Sequence, residues 1–206
     1  RLTSLEEFDA ARAQYGDGAR TILAESPDDV GQMGSVADYL EVDRRYERAV
    51  EASLGDELQH VVVASHTHAQ AGLRLARDRH AGRVGFVLAD HGAYQGPPAA
   101  IEAPARLTPP GDLVRVSGPV AHVIRGVLAH SWVAPDFDTA RDAAGLVPGT
   151  VVTLEGDVFR GSYLVEGGVR AEATGILSTK REIKELRERR EEQRAAVERV
   201  REELAV

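Results

Sequence analysis

The sequence predicts a mixed α/β fold with more than one sheet, organised as two related halves between two coiled-coil stubs. Three observations lead there. Short β-branched runs punctuated by glycine, such as HVVVA at 60–64 and TVVTL at 150–154, alternate with amphipathic helical stretches. The order helix, strand, helix, strand occurs twice: Leu54, HVVVAS, Ala69, Leu73, GRVGFVL is echoed by Leu128, SWVAPDF, Ala140, Ala144, GTVVTL, with a glycine before the last strand each time. From Ile176 the composition changes to a charged helix in which Ile183, Leu186, Arg190, Gln193, Val197, Val200 and Leu204 step by 3, 4, 3, 4, 3, 4.

Taken in order, Leu2, Leu5, Phe8, Arg12 and Tyr15 make a weak seam on an N-terminal helix that Gly16 and Gly18 interrupt. Ser26-Pro27-Asp28-Asp29 is a loop, and the domain proper is expected from about Gly31. Asp43 reads as the N-cap of a helix lined by Tyr46, Ala49, Val50, Ser53 and Leu54 and stopped at Gly55. A strand at 60–64, a helix at 67–80 and a strand at 83–89 follow. The Gly-, Pro- and Ala-rich stretch 90–110 is a long loop. A strand at 113–116 and a helix at 120–128, begun by Pro119, lead into the second half. Trp132 sits in a strand as packing. The stretch 150–168 opens as a buried strand, breaks at Gly156-Asp157, pairs off a short second strand and closes on Gly167-Gly168. The last helix, about 29 residues at 1.5 Å each, is a rod of roughly 43 Å that needs a partner helix, and the N-terminal seam offers one. The expected division is 1–30 incoming stub and linker, 31–116 first half, 117–175 second half, and 176–206 outgoing stub.

Composition narrows the function. With 43% hydrophobic and 28% charged residues the chain is of ordinary globular composition, and with no cysteine it has neither disulfides nor thiolate metal ligands. No apolar run is long enough to cross a bilayer, and no signal peptide opens the chain, so a cytoplasmic protein is expected. The chain opens on Arg1 and its only methionine is Met33, the pattern expected of a piece of a longer protein. Net charge is −8, and the stretch 180–203 is almost neutral, so the acid lies in the globular part and argues against a broad nucleic-acid surface.

Catalytic patterns are sparse. His66-Thr67-His68 after a strand offers a pair that could share a zinc if the backbone is extended or looped there, the basis of an alternative reading as a metal-dependent hydrolase. That pattern would continue with an aspartate and a histidine at positions 70 and 71, where the chain has Gln70 and Ala71. There is no G-x-x-x-x-G-K-[ST] phosphate loop, and Gly167-Gly168 with Gly175 is no dinucleotide fingerprint. Asp90-His91 and the carboxylates Asp136 and Asp138 read as loop groups.

The order and spacing of several short pieces resemble the hinge of the structural-maintenance-of-chromosomes (SMC) family. They are GSVADYL at 34–40, YERAVE at 46–51, Leu54-Gly55 running into LQHVVV at 58–63, VTLEGDV at 152–158, Gly167-Gly168, and Ile176-Leu177-Ser178 before REIKEL at 181–186. The resemblance spans nearly the whole chain. It implies a bacterial, cytoplasmic, nucleoid-associated protein of chromosome condensation and segregation, with this domain joining two antiparallel coiled-coil arms and pairing with a second copy of itself. It implies no cofactor here, with ATP and Mg at head domains elsewhere, no membrane contact, and no accessory subunit docking on this part. The dimer contact is implied at Gly161, Tyr163, Gly167 and Gly168. Glycine there lets two backbones approach, and an open strand edge can be completed by a partner's strand. The family commonly has a glycine where this chain has Tyr163, and lysines after the glycine pair where it has only Arg170. Arg170, with Lys180, Arg181 and Lys184 at the coil junction, are the candidates for a weak DNA contact, against the plainer reading of solvated helix charges.

Overall fold

The structure, a computed structural model, describes residues 1–25, 27–90, 106–168 and 175–204. Arg170 and most of the expected loop at 90–110 lie outside the described residues. The first half runs α1 (Leu2–Ala10), α2 (Asp17–Glu25), β1 (Gln32–Ser35), a 3-10 turn (Val36–Tyr39), β2 (Leu40–Val42), α3 (Glu47–Leu54), a second 3-10 turn (Gly55–Gln59), β3 (Val61–Val63), α4 (His66–Asp78) and β4 (Phe86–Leu88). Then come α5 (Pro110–Leu113), β5 (Val114–Val116), α6 (Ala121–Leu128), β6 (Ser131–Ala134), α7 (Phe137–Ala143), β7 (Thr150–Thr153), β8 (Val158–Arg160), β9 (Leu164–Glu166) and α8 (Ile176–Leu204).

The strands form a three-stranded sheet in the order β1-β3-β4, a two-stranded ribbon β2-β5, and a four-stranded sheet β6-β7-β8-β9. The expected duplication is visible in the topology. β3-α4-β4 and β6-α7-β7 are both parallel βαβ units, with registers Val62↔Val87 and Val133↔Val152. Each has its glycine immediately before the second strand, against the histidine that precedes the first. A Cβ on Gly85 would overlap the His60 ring, and one on Gly149 would overlap the His130 carbonyl. Gly149 also has φ +88°, a left-handed conformation that other residues adopt only under strain.

One hydrophobic cluster fills the first half and draws in Val120, Ile124 and Leu128 of the second. In the second half α7 covers one face of the sheet through Ala140 and Ala143 against Val151 and Phe159, with the Phe137 and Phe159 rings edge-to-face at 4.9 Å. The other face meets α3: Ala49 packs with Val133, Val152 and Val158.

Four sequence expectations change. The N-terminal seam does not run through to Tyr15, because α1 ends and Arg12 takes a left-handed conformation with φ 51°. Gly18 lies inside a second helix rather than interrupting one, and that helix is part of the body, since Ile22 is completely buried with Val30, Val61 and Val63. Asp43 does not cap α3: a turn intervenes, in which the Asp43 carbonyl accepts from the Tyr46 N–H at 2.8 Å. The stretch 150–168 holds three strands, not two.

Gly149→Ala is expected to cost about 3 kcal/mol and to lower Tm by roughly 6–12 °C, read by thermal and urea unfolding. The same change at Gly82, with open space around its Cβ position, is expected to cost only its backbone strain of about 1 kcal/mol.

Candidate functional site

The β-branched alternation that makes β7 and β8 core strands runs out at β9. Phe159 is buried opposite Val165, but Val165 is 51% exposed and Tyr163, at the turn before it, is 87% exposed. β9 is the edge strand of the sheet, with no strand on its other side among the described residues. An apolar edge left open in this way is a template for another chain. Gly167 and Gly168 follow it directly and are exposed, and Gly168 has φ +97° with nothing near its Cβ position. Gly161 forms the turn into β9 with Tyr163 packed against it. All four residues expected at a contact thus fall at one rim of the second half.

A second site lies where the helices leave the body. The Asp38 carboxylate accepts from both Nη atoms of Arg12, at 2.8 Å each, and from Lys180 Nζ at 2.5 Å. It also accepts from the Ser35 N–H at 2.7 Å and its hydroxyl at 2.9 Å, and Tyr15 shares a 2.8 Å hydrogen bond with the same hydroxyl. Lys180 reaches Asp9 of α1 as well, at 3.2 Å. Burial alone would push the Asp38 carboxyl up, but the Arg12 hydrogen bonds and the Lys180 and Arg12 charges outweigh it and hold the group well below the usual carboxylate range.

The outgoing helix is fastened further along. Ile176 and Leu177 are buried in the core of the first half. Glu51 Oε1 accepts from the backbone N–H groups of Gly175 and Leu177, at 3.1 Å each, an N-terminal cap supplied from α3 rather than by a neighbouring residue. Burial raises the Glu51 pKa; the two backbone donors work against that shift and the Glu47 charge adds to it. Arg181 pairs with Glu47 and Glu185, and Lys184 with Glu41 at 2.6 Å. Three of the four cations expected as DNA contacts, Lys180, Arg181 and Lys184, therefore carry ion pairs to the protein, two of them more than three-quarters covered, and the fourth, Arg170, lies outside the described residues. α1 packs on the start of α8, with Glu6 paired to Arg187 at 2.7 Å. From Arg190 to Val200 the seam lies exposed.

His66 and His68 fall in the first turn of α4, where residues two apart point to different sides, so the pair does not converge on one ion. His68 Nδ1 is bonded to the Ser65 hydroxyl at 2.8 Å. Between the halves lies an open groove of about 1690 Å³, where among the described residues seven carboxylates, Glu51, Glu155 and Glu166 among them, outweigh Arg20, Arg48, Arg83 and Arg160. It is no phosphate cradle.

A family model described as the SMC proteins flexible hinge domain matches residues 29–144, more than half of the chain. The chain belongs to the SMC hinge family. The chromosome partition protein Smc of Myxococcus xanthus is 33% identical over 205 residues, covering 90% of the hinge chain and 16% of its own length. That of Desulfitobacterium hafniense is 27% identical over 206 residues, covering 94% and 17%. The hinge chain thus spans about a sixth of the relatives it matches. Among solved structures, an asymmetric dimer of the Geobacillus stearothermophilus SMC hinge domain has a TM-score of 0.83 at 26% identity, over 98% of this chain and 84% of that one. A Pyrococcus furiosus Smc hinge domain with an extended coiled coil agrees in fold, with a TM-score of 0.63 at 23% identity over 98% and 74%.

Sequence reasoning missed the four carboxylates Asp38, Glu41, Glu47 and Glu51. Their partners on α8 are more than a hundred residues away, and the only local signals were Ser35 three residues before Asp38, a capping pattern, and the four-residue spacing of Glu47 and Glu51.

Two outcomes follow. Asp38 has a folded-state pKa below its ordinary 3.8, so its stabilisation is complete above that value and is lost as pH falls through the lower folded pKa. Asp38→Asn is expected to cost about 2–3 kcal/mol at pH 7, shrinking in acid, by urea melts across pH. Glu51 has the opposite sign: its contribution is complete below its ordinary 4.5 and is lost as pH rises through the raised folded pKa. Glu51→Gln, which still accepts both N–H bonds, is expected to match or exceed the parent's Tm at pH 7. Glu51→Ala is expected to lose about 1–2 kcal/mol.

Proposed function

We propose that this chain is the homodimerisation hinge of a cytoplasmic, chromosome-partitioning SMC protein, with α1 and α8 as the starts of its two coiled-coil arms. The observation that carries the reading is the open, apolar β9 edge beside Gly167-Gly168, on a chain of the hinge family. A second copy completes that edge, through the same contact made twice about a two-fold axis. The solved Geobacillus stearothermophilus relative, described as an asymmetric dimer, supports self-association without requiring perfect symmetry. The exposed seam beyond Arg190 is the surface on which the incoming arm continues. Nucleotide hydrolysis belongs to head domains outside this chain, and the hinge itself takes no cofactor.

DNA contact by this hinge is weak and non-specific. Lys180, Arg181 and Lys184 already neutralise Asp38, Glu47 and Glu41, and the groove is acidic. Neutralising these three is accordingly expected to unfasten α8 before it changes DNA affinity.

Light scattering over a dilution series is expected to give twice the chain mass of 22.2 kDa. Val165→Lys, at a position already half exposed in the monomer, is expected to weaken the dimer by about tenfold or more with Tm of the isolated fold nearly unchanged. A variant as dimeric as the parent at low micromolar concentration contradicts the β9 contact.

A further inference from the structure

Both helices that leave the body are fastened to one carboxylate. Asp38 holds Arg12, from the turn that ends α1, through two bonds of 2.8 Å, and Lys180, from the first turns of α8, through one of 2.5 Å. The three side chains are covered to a similar degree, 20%, 22% and 17% exposed, so salt screens them far less than the open Lys184–Glu41 pair, at 47% and 40%. A second observation points the same way. Arg12 occupies a left-handed backbone conformation, φ 51°, at a helix end where glycine fits without strain; arginine there carries the guanidinium that Asp38 holds. Among the described residues, the side-chain bonds reaching α8 from the globular body come from Asp38, Glu41, Glu47 and Glu51, all in the first half, while α8 packs on α1, β2 and α3.

We propose that Asp38 is a clamp shared by the two arms, fixing the angle between α1 and α8 and tying both to the first half, so that the arms and that half turn as one body. Any change of angle between the arms then requires this clamp to open. Without the Asp38 charge, the Arg12 and Lys180 cations stand close together with Asp9 the one carboxylate paired to them among the described residues and the neutral Tyr15 hydroxyl beside Arg12, and the two helices are pushed apart.

The chain has no cysteine, so Ser4→Cys on α1 and Gln193→Cys on α8 place a pair of spin labels at exposed positions of the full chain. Labelled chains diluted into unlabelled ones report the distance within one protomer. The parent is expected to give one narrow distribution, Asp38→Asn one at least about twofold broader, and Lys184→Ala, which breaks only the exposed pairs to Glu41 and Glu188, the parental one. An unchanged width in folded Asp38→Asn overturns the clamp. Should Asp38→Asn not fold, Lys180→Gln serves instead, since it keeps the Arg12–Asp38 pair, and an unchanged width there overturns the clamp equally. The proposal rests on reading the two helices as arms, not on dimerisation. Light scattering on the same samples separates the two: a monomeric parent counts against the proposed dimer and leaves the width measurement intact.

Discussion

One eight-residue helix, α3, carries the constraint on which the rest depends, because three of its faces are committed to three different neighbours. Val50 and Leu54, one turn apart, enter the core of the first half. Ala49 packs against Val133, Val152 and Val158 of the four-stranded sheet, and Ser53, a turn later, shares a 2.5 Å hydrogen bond with Ser131. Glu47 and Glu51, again one turn apart, take Arg181 and the first backbone N–H groups of α8. A small rotation of this helix would unseat a core, a sheet and an arm together. Its short length and the glycine that stops it at Gly55 leave little room for such a shift.

This arrangement divides the labour of the hinge. The first half holds the arms, through Asp38, Glu41, Glu47 and Glu51. The second half presents β9, the edge proposed to meet a second copy. With the dimer contact proposed at β9, force along the arms enters one half and pairing with a second copy is made by the other. α3 is a link between them. The two halves share the βαβ plan, and among the described residues each adds antiparallel strands, β1 beside β3 in the first and β8 then β9 beyond β7 in the second, where the apolar edge arises.

The parts of this fold that were legible in the sequence are those with a local period. The two βαβ units announce themselves by β-branched runs entered through Gly82 and Gly149, and α8 by its seam and its charges, while the glycines that stand directly before the strands in the structure are Gly85 and Gly149. The reason for those glycines, contact with His60 and His130, lies beyond any local pattern, though the glycines themselves do not. β9 was missed because three residues between a turn and a glycine pair give alternation too little length to show. α2 was missed because Gly18 lowers helix propensity, while tertiary packing of Ile22 and Ala19 more than restores it. The arm junction was illegible for a different reason. Lys180, Arg181 and Lys184 look like any solvated helix charges until the fold brings carboxylates from more than a hundred residues away, and Asp38 looks like part of a turn.

Whether β9 is the edge that a second copy completes is read from hydrogen exchange along the backbone of 164–166 at protein concentrations above and below the dimer's dissociation. Exchange at β9 is expected to slow markedly when the chain is dimeric, while buried β7 stays protected throughout. A dimer in which β9 exchanges as fast as in the monomer would contradict it and would place the contact elsewhere on the hinge.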